Sequence, residues 1–128
     1  MEDEIHLELE RGKRSLDAAK LLFEKGLYED SVSRSYYAMF HAARALLLTK
    51  DIRPTSHAGV VSLFGLHFVK DGLIERDYAR MISQGLDLRE DGDYGIYTDV
   101  TKARASEILS DAQKFFVKIK EVLGPGKK

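Results

Sequence analysis

The spacing of apolar residues constrains this chain more than any other feature. Towards its end, Ala105, Ile108, Leu109, Ala112, Phe115, Phe116, Ile119, Val122 and Leu123 recur at short helical steps, which puts them on one face of an α-helix and on no single face of a strand. The same period runs through Ile5, Leu9, Leu16, Ala19 and Phe23, interrupted at Gly12, and through Val32, Tyr36, Met39, Phe40, Ala43 and Leu47. Shorter stretches follow over His57–Lys70, with Val60, Val61, Phe64 and Phe68, and over Glu75–Leu88, with Tyr78, Met81 and Ile82. No segment alternates with a strand period over a useful length. Such stripes can be buried only against one another, so the expected fold is all-α, an antiparallel up-and-down helical bundle of about five helices.

Local signals place the boundaries. Gly26 is the expected C-cap of the first helix, and the second is expected from about Glu29 to about Lys50. Asp51-Ile52-Arg53-Pro54-Thr55-Ser56 is the break, because Pro54 biases Arg53 away from helix. Ser56 suits the N-cap of the third helix. Gly59 and Gly65 each cost that helix about 1 kcal/mol relative to alanine, which points to close packing or a kink. Arg89 to Tyr97, with Gly92 and Gly95, reads as an irregular loop, after which Thr98 or Asp99 can cap the last helix. With no internal repeat and no linker, residues 1–128 read as one domain, with 123–128 a frayed tail.

Composition narrows the function. Twenty basic residues against 21 acidic ones leave a net charge of −1, so any basic site must be a local patch. The absence of cysteine excludes disulfides, thiolate metal sites and a cysteine nucleophile. The opening Met1-Glu2-Asp3-Glu4 is acidic where a signal peptide is basic and then apolar. No apolar run approaches the roughly 20 residues that span a bilayer. A cytoplasmic protein without membrane attachment is expected.

The second helix carries a polar line beside its apolar stripe: Arg34, Tyr37, His41 and Arg44. Two arginines, a phenol and an imidazole on one stripe can bind a phosphate, a base or a carboxylate partner. By spacing alone the favoured reading is an amphipathic flank that pairs with acids on a neighbouring helix, since charged lines on helices are usually solvated faces. His57 and His67 are too far apart for an i, i+4 metal pair, and there is no His-Glu-x-x-His; each fits a capping or buried histidine, and His6 an exposed one. Asp91, Asp93 and Asp99 do not form a calcium loop, because Gly95 and Tyr97 lack carboxylates and Lys102 stands at the closing glutamate position. Neither a Gly-x-Ser-x-Gly elbow nor a Gly-x-x-x-x-Gly-Lys phosphate loop is present. No cofactor and no metal are expected.

Ser33-Arg34-Ser35-Tyr36-Tyr37-Ala38-Met39-Phe40-His41-Ala42-Ala43 resembles the second-helix signature of the HEPN superfamily, in its small stand-alone branch. Ser56-His57-Ala58-Gly59-Val60 and the Arg89…Asp93-Tyr94 segment match the same branch, and the resemblance spans about Glu8 to Leu123. It implies a helical bundle, commonly a homodimer, often beside a minimal nucleotidyltransferase. In many such pairs the helical protein resembles a toxin that cuts RNA, and the nucleotidyltransferase neutralises it, in some systems by adding AMP to a tyrosine. The family's ribonuclease motif is an arginine, four to six residues, then a histidine. Arg89 matches the arginine, but Tyr94 stands where the histidine is expected, and no histidine follows. A phenol with a reference pKa of about 10 is a poor acid/base substitute for an imidazole.

Three readings follow from the resemblance. The first is a binding and interaction module of a toxin–antitoxin-like pair. It uses Arg34, Tyr37, His41, Arg44 and Arg89 to hold nucleotide or RNA phosphate, with Tyr94 or Tyr97 as an acceptor for a nucleotidyltransferase partner. The second is a metal-independent ribonuclease with a non-standard site at Arg89 and His41 or Tyr94. The third is a structural helical dimer without ligand. The missing histidine favours the first.

Overall fold

A computed structural model describes the backbone of residues 2–94 and 100–124, and side chains over 2–89 and 100–124. The described residues form five α-helices and no strand: α1 Glu2–Glu24, α2 Tyr28–Leu48, α3 His57–Phe64, α4 Arg76–Tyr94 and α5 Lys102–Leu123. None of them is long and apolar enough to cross a membrane.

α1 and α2 form a hairpin closed by the expected glycine. Gly26 has φ +80°, and Gly26 N and Leu27 N donate to Phe23 O (3.0 Å) and Leu22 O (2.9 Å), the paired bonds of a Schellman cap. The Ser31 hydroxyl then donates to Ala19 O at 2.8 Å and ties the second helix back to the first. Gly12 lies at their crossing: a Cβ there would sit 2.9 Å from Phe116 Cε1 and 3.2 Å from the Ala38 carbonyl oxygen. The interruption in the first apolar stripe is thus a position where a side chain has no room.

α2 is the hub, packed against α1, α3, α4 and α5. Its interior extends beyond the expected stripe, since Ala38, Ala42, Ala45, Leu46 and Leu48 are also buried, whereas Phe40 is only half-buried. Small alanines let neighbours close on several sides of one helix, so a single-face description was too narrow. Tyr36, Met39, Phe64, Ile82, Phe115 and Ile119 fill the centre.

Three boundaries differ from expectation. The third helix keeps its Ser56 cap, whose Oγ accepts from Gly59 N at 2.9 Å, but from Gly65 to Val69 it widens into a π turn, closed by Lys70 N on Gly65 O at 2.9 Å. A Cβ on Gly65 would touch nothing and one on Gly59 would meet Ser56 Oγ and Pro54. Neither glycine therefore serves helix–helix packing. α4 does not stop at Leu88 but continues to Tyr94, through the stretch expected to be a loop. One helical glycine costs only about 1 kcal/mol, and Leu86 and Arg89 anchor the helix on its neighbours. The cap of α5 is Thr101, whose side chain accepts from Arg104 N at 3.1 Å; Thr98 and Asp99 lie outside the described residues. Leu123 is buried at the end of α5, so it belongs to the core and not to a tail.

Asp111 is the buried acid of α5, facing Arg80 of α4 at 3.5 Å. Burial pushes its carboxyl above the ordinary value, and Arg80 offsets this only in part. The native state therefore holds that proton at pH values where the unfolded chain has released it, and stability falls as pH rises through that window. Asp111→Asn is expected to raise the melting temperature by a few degrees near neutral pH and to give no gain in acid. Equal effects at both pH values would contradict this account.

Candidate functional site

The polar line of α2 divides into two differently partnered halves. Tyr37 is half-buried, and its hydroxyl accepts from Arg89 Nη2 at 2.9 Å, with the guanidinium carbon 5.2 Å from the ring centre. Gly85, one turn before Arg89, makes this approach feasible. A Cβ at Gly85 would lie 2.8 Å from Met39 Cε and 3.5 Å from Tyr36 Cδ1, so its absence lets α4 settle on α2.

Tyr37 also joins a cluster of rings. Its centroid lies 5.7 Å from that of His57 and 6.3 Å from that of His41, and Phe40 and His57 are 4.6 Å apart. His57 Nδ1 shares a hydrogen bond with the Tyr36 hydroxyl at 2.9 Å. The histidine at the start of α3 is thus not the cap, which Ser56 supplies, but part of the same aromatic wall. Two imidazoles, one from α2 and one from α3, flank the phenol that Arg89 holds.

His41 and Arg44 are engaged by an acid that sequence reading did not single out. Glu8 of α1 is buried; its Oε1 lies 2.7 Å from His41 Nδ1 and its Oε2 3.3 Å from Arg44 Nε. The Arg44 guanidinium also stands 5.6 Å from the Phe40 ring centre. This half fits the structural reading of the stripe, a flank paired with an acid on the next helix. The signal was present in the sequence, because Glu8 falls between Ile5 and Gly12 on the apolar face of α1. An acid there needs a cation opposite.

Arg34 is different. It is exposed and lines a cavity of about 300 Å³ with Arg11, Arg14, Ser15, Ala18 and His41. The backbone of Tyr94 ends α4, while its side chain and all of Tyr97 lie outside the described residues. The structure thus joins Arg89, Tyr37 and His41 through direct ring and hydrogen-bond contacts, and places Arg34 and Arg44 at the two ends of the stripe.

Residues 5–122 match the family model described as the HEPN domain. The chain belongs to the HEPN family. Among its relatives is a protein of Methanocaldococcus jannaschii named as a candidate toxin, 47% identical over 122 residues, covering 94% of this chain and 90% of the relative. A UPF0332 protein of Archaeoglobus fulgidus is 40% identical, covering 94% of this chain and 96% of its own length. A second M. jannaschii protein named as a candidate toxin is 33% identical, over 90% of this chain and 78% of its own. In this HEPN chain, the arginine singled out by the sequence resemblance, Arg89, is the one bound to Tyr37.

Proposed function

We propose that this HEPN protein is the toxin-like member of a toxin–antitoxin-like pair. It binds nucleotide or RNA phosphate along the polar face of α2 and works with a minimal nucleotidyltransferase. The observation that carries the reading is the 2.9 Å contact between Arg89 and Tyr37, which brings the guanidinium of α4 onto the polar line of α2. A guanidinium is a planar, permanently charged donor whose fork matches phosphate oxygens, and its contact with Tyr37 holds this one beside the α2 line. The names of the two M. jannaschii relatives support the toxin-like part. A homodimer in which two such faces line one groove fits the same reading, with Tyr94 or Tyr97 as the residue offered to the nucleotidyltransferase.

A ribonuclease is the second reading, favoured by one observation. His41 and His57 both lie against the Tyr37 ring, so two imidazoles stand beside Arg89's partner although no histidine follows Arg89 in sequence. Incubating labelled single-stranded RNA with the purified protein separates the two. Binding without cleavage, weakened roughly tenfold or more by Arg89→Ala as expected for loss of a charge-assisted contact, supports the binding module. Cleavage abolished by Arg89→Ala supports the nuclease. RNA that neither binds nor breaks sinks both, and recovery from the native host without a nucleotidyltransferase sinks the partner claim.

A further inference from the structure

The groove between α1 and α2 holds a concentration of positive charge that the motif residues do not explain. Arg11, Arg14, Ser15 and Ala18 follow one another on a single face of α1, and Arg34 of α2 stands across from them, with His41 completing the lining. Ser15 and Ala18 are short, which leaves the cavity of about 300 Å³ open between the guanidinium groups. Among the described residues, no carboxylate lines this cavity. Arg11, Arg14 and Arg34 are exposed, and among the described residues no ion pair or side-chain hydrogen bond holds any of them there.

These three guanidinium groups gather on one groove in a chain whose net charge is −1. Several cations elsewhere are matched: Lys13 with Asp17 at 2.9 Å, Arg53 with Glu4 at 2.6 Å, Arg80 with Asp77 at 2.6 Å, and Lys118 with Glu75 at 3.1 Å. Glu8, the nearest buried acid, has its two oxygens turned to His41 and Arg44. Unmatched guanidinium groups facing one another across a groove repel, and an anion placed between them removes that repulsion. Arginine forks match phosphate oxygens in particular.

We infer that this groove is a phosphate track for a single RNA strand, with Arg11 and Arg14 on one bank and Arg34 on the other. The inference rests on the reading above that the ligand is RNA, and it adds α1 to the binding surface. His41 links the two regions, since it lines the groove and also contacts the Tyr37 ring. A strand lying in the groove would reach Tyr37 and Arg89 with its next nucleotides. Aromatic rings there suit stacking of an unpaired base, and the arginines suit its backbone.

The salt dependence of binding reads the number of phosphates contacted, because each contact on a single strand contributes about 0.7 to the slope of log K against log salt. Fluorescence anisotropy with a labelled single-stranded RNA of about a dozen nucleotides is the measurement. It compares wild type, the triple variant Arg11→Gln, Arg14→Gln and Arg34→Gln, and a charge-matched triple variant of exposed α5 residues, Lys102→Gln, Lys114→Gln and Lys120→Gln. The groove variant is expected to bind about tenfold more weakly or worse near 0.1 M salt, with a slope lower by about 2. The α5 variant is expected to stay close to wild type, and melting curves should show all three folded. If the groove variant keeps the wild-type slope, or the α5 variant loses as much, the track is wrong while RNA binding itself stands. Wild type that binds no RNA overturns the track and the proposed function together.

Discussion

Phe115→Ala is expected to lower the unfolding free energy by about 3–5 kcal/mol, the range for removing a fully buried aromatic ring. Phe115 is wholly buried on α5, with its ring 5.2 Å from Phe64 of α3 and 6.3 Å from Tyr78 of α4. It therefore fills the place where three helices meet, and alanine would leave a cavity that none of them can close alone. For a chain of this size the melting temperature should drop by roughly 10–20 °C. Urea unfolding followed by circular dichroism measures it, and a loss under about 1 kcal/mol would mean the junction is not packed as described.

Glu8→Ala is expected to cost about 2 kcal/mol. Breaking a buried ion pair commonly costs about 3–5 kcal/mol. The lower figure applies because the Arg44 side chain is 35% exposed, so water can reach the cation that is left behind. The loss should be shared with His41, whose ring is held by the same carboxylate at 2.7 Å. A double-mutant cycle with His41→Ala should show coupling on the order of 1 kcal/mol. Additive losses would mean that the two side chains do not depend on each other. Glu8 also holds the imidazole that stands between the arginine-lined cavity and Tyr37.

The helices and two of their caps were legible in the sequence because they rest on local physics. Gly26 must supply a positive φ, and Ser56 precedes a run of apolar residues with its hydroxyl free to accept a backbone N–H. The extension of α4 to Tyr94 was not legible. Gly92 and a cluster of acids look like a loop, and the helix is sustained by Leu86 and Arg89 meeting other elements. The polar line at Arg34, Tyr37, His41 and Arg44 was visible from its spacing, but its division into two halves was not. That division depends on Glu8, Arg11 and Arg14 of α1, 20 residues or more away in sequence. Gly85 was passed over for the same reason, since its lack of a side chain acquires meaning only when Met39 and Tyr36 are opposite.

The crowding of α2 by its neighbours bears on how a chain like this one can diverge. Exchanging a side chain on the narrow strip it shows to solvent leaves the alanine-lined interior untouched. Inserting or deleting a single residue ahead of Tyr37 would turn everything beyond it by about 100°. After an insertion, His41 and Arg44 would point into the space Ala42 and Ala45 now occupy. The length of this helix should therefore tolerate drift far less than its outward chemistry does, and that outward face can be rewritten only by substitution.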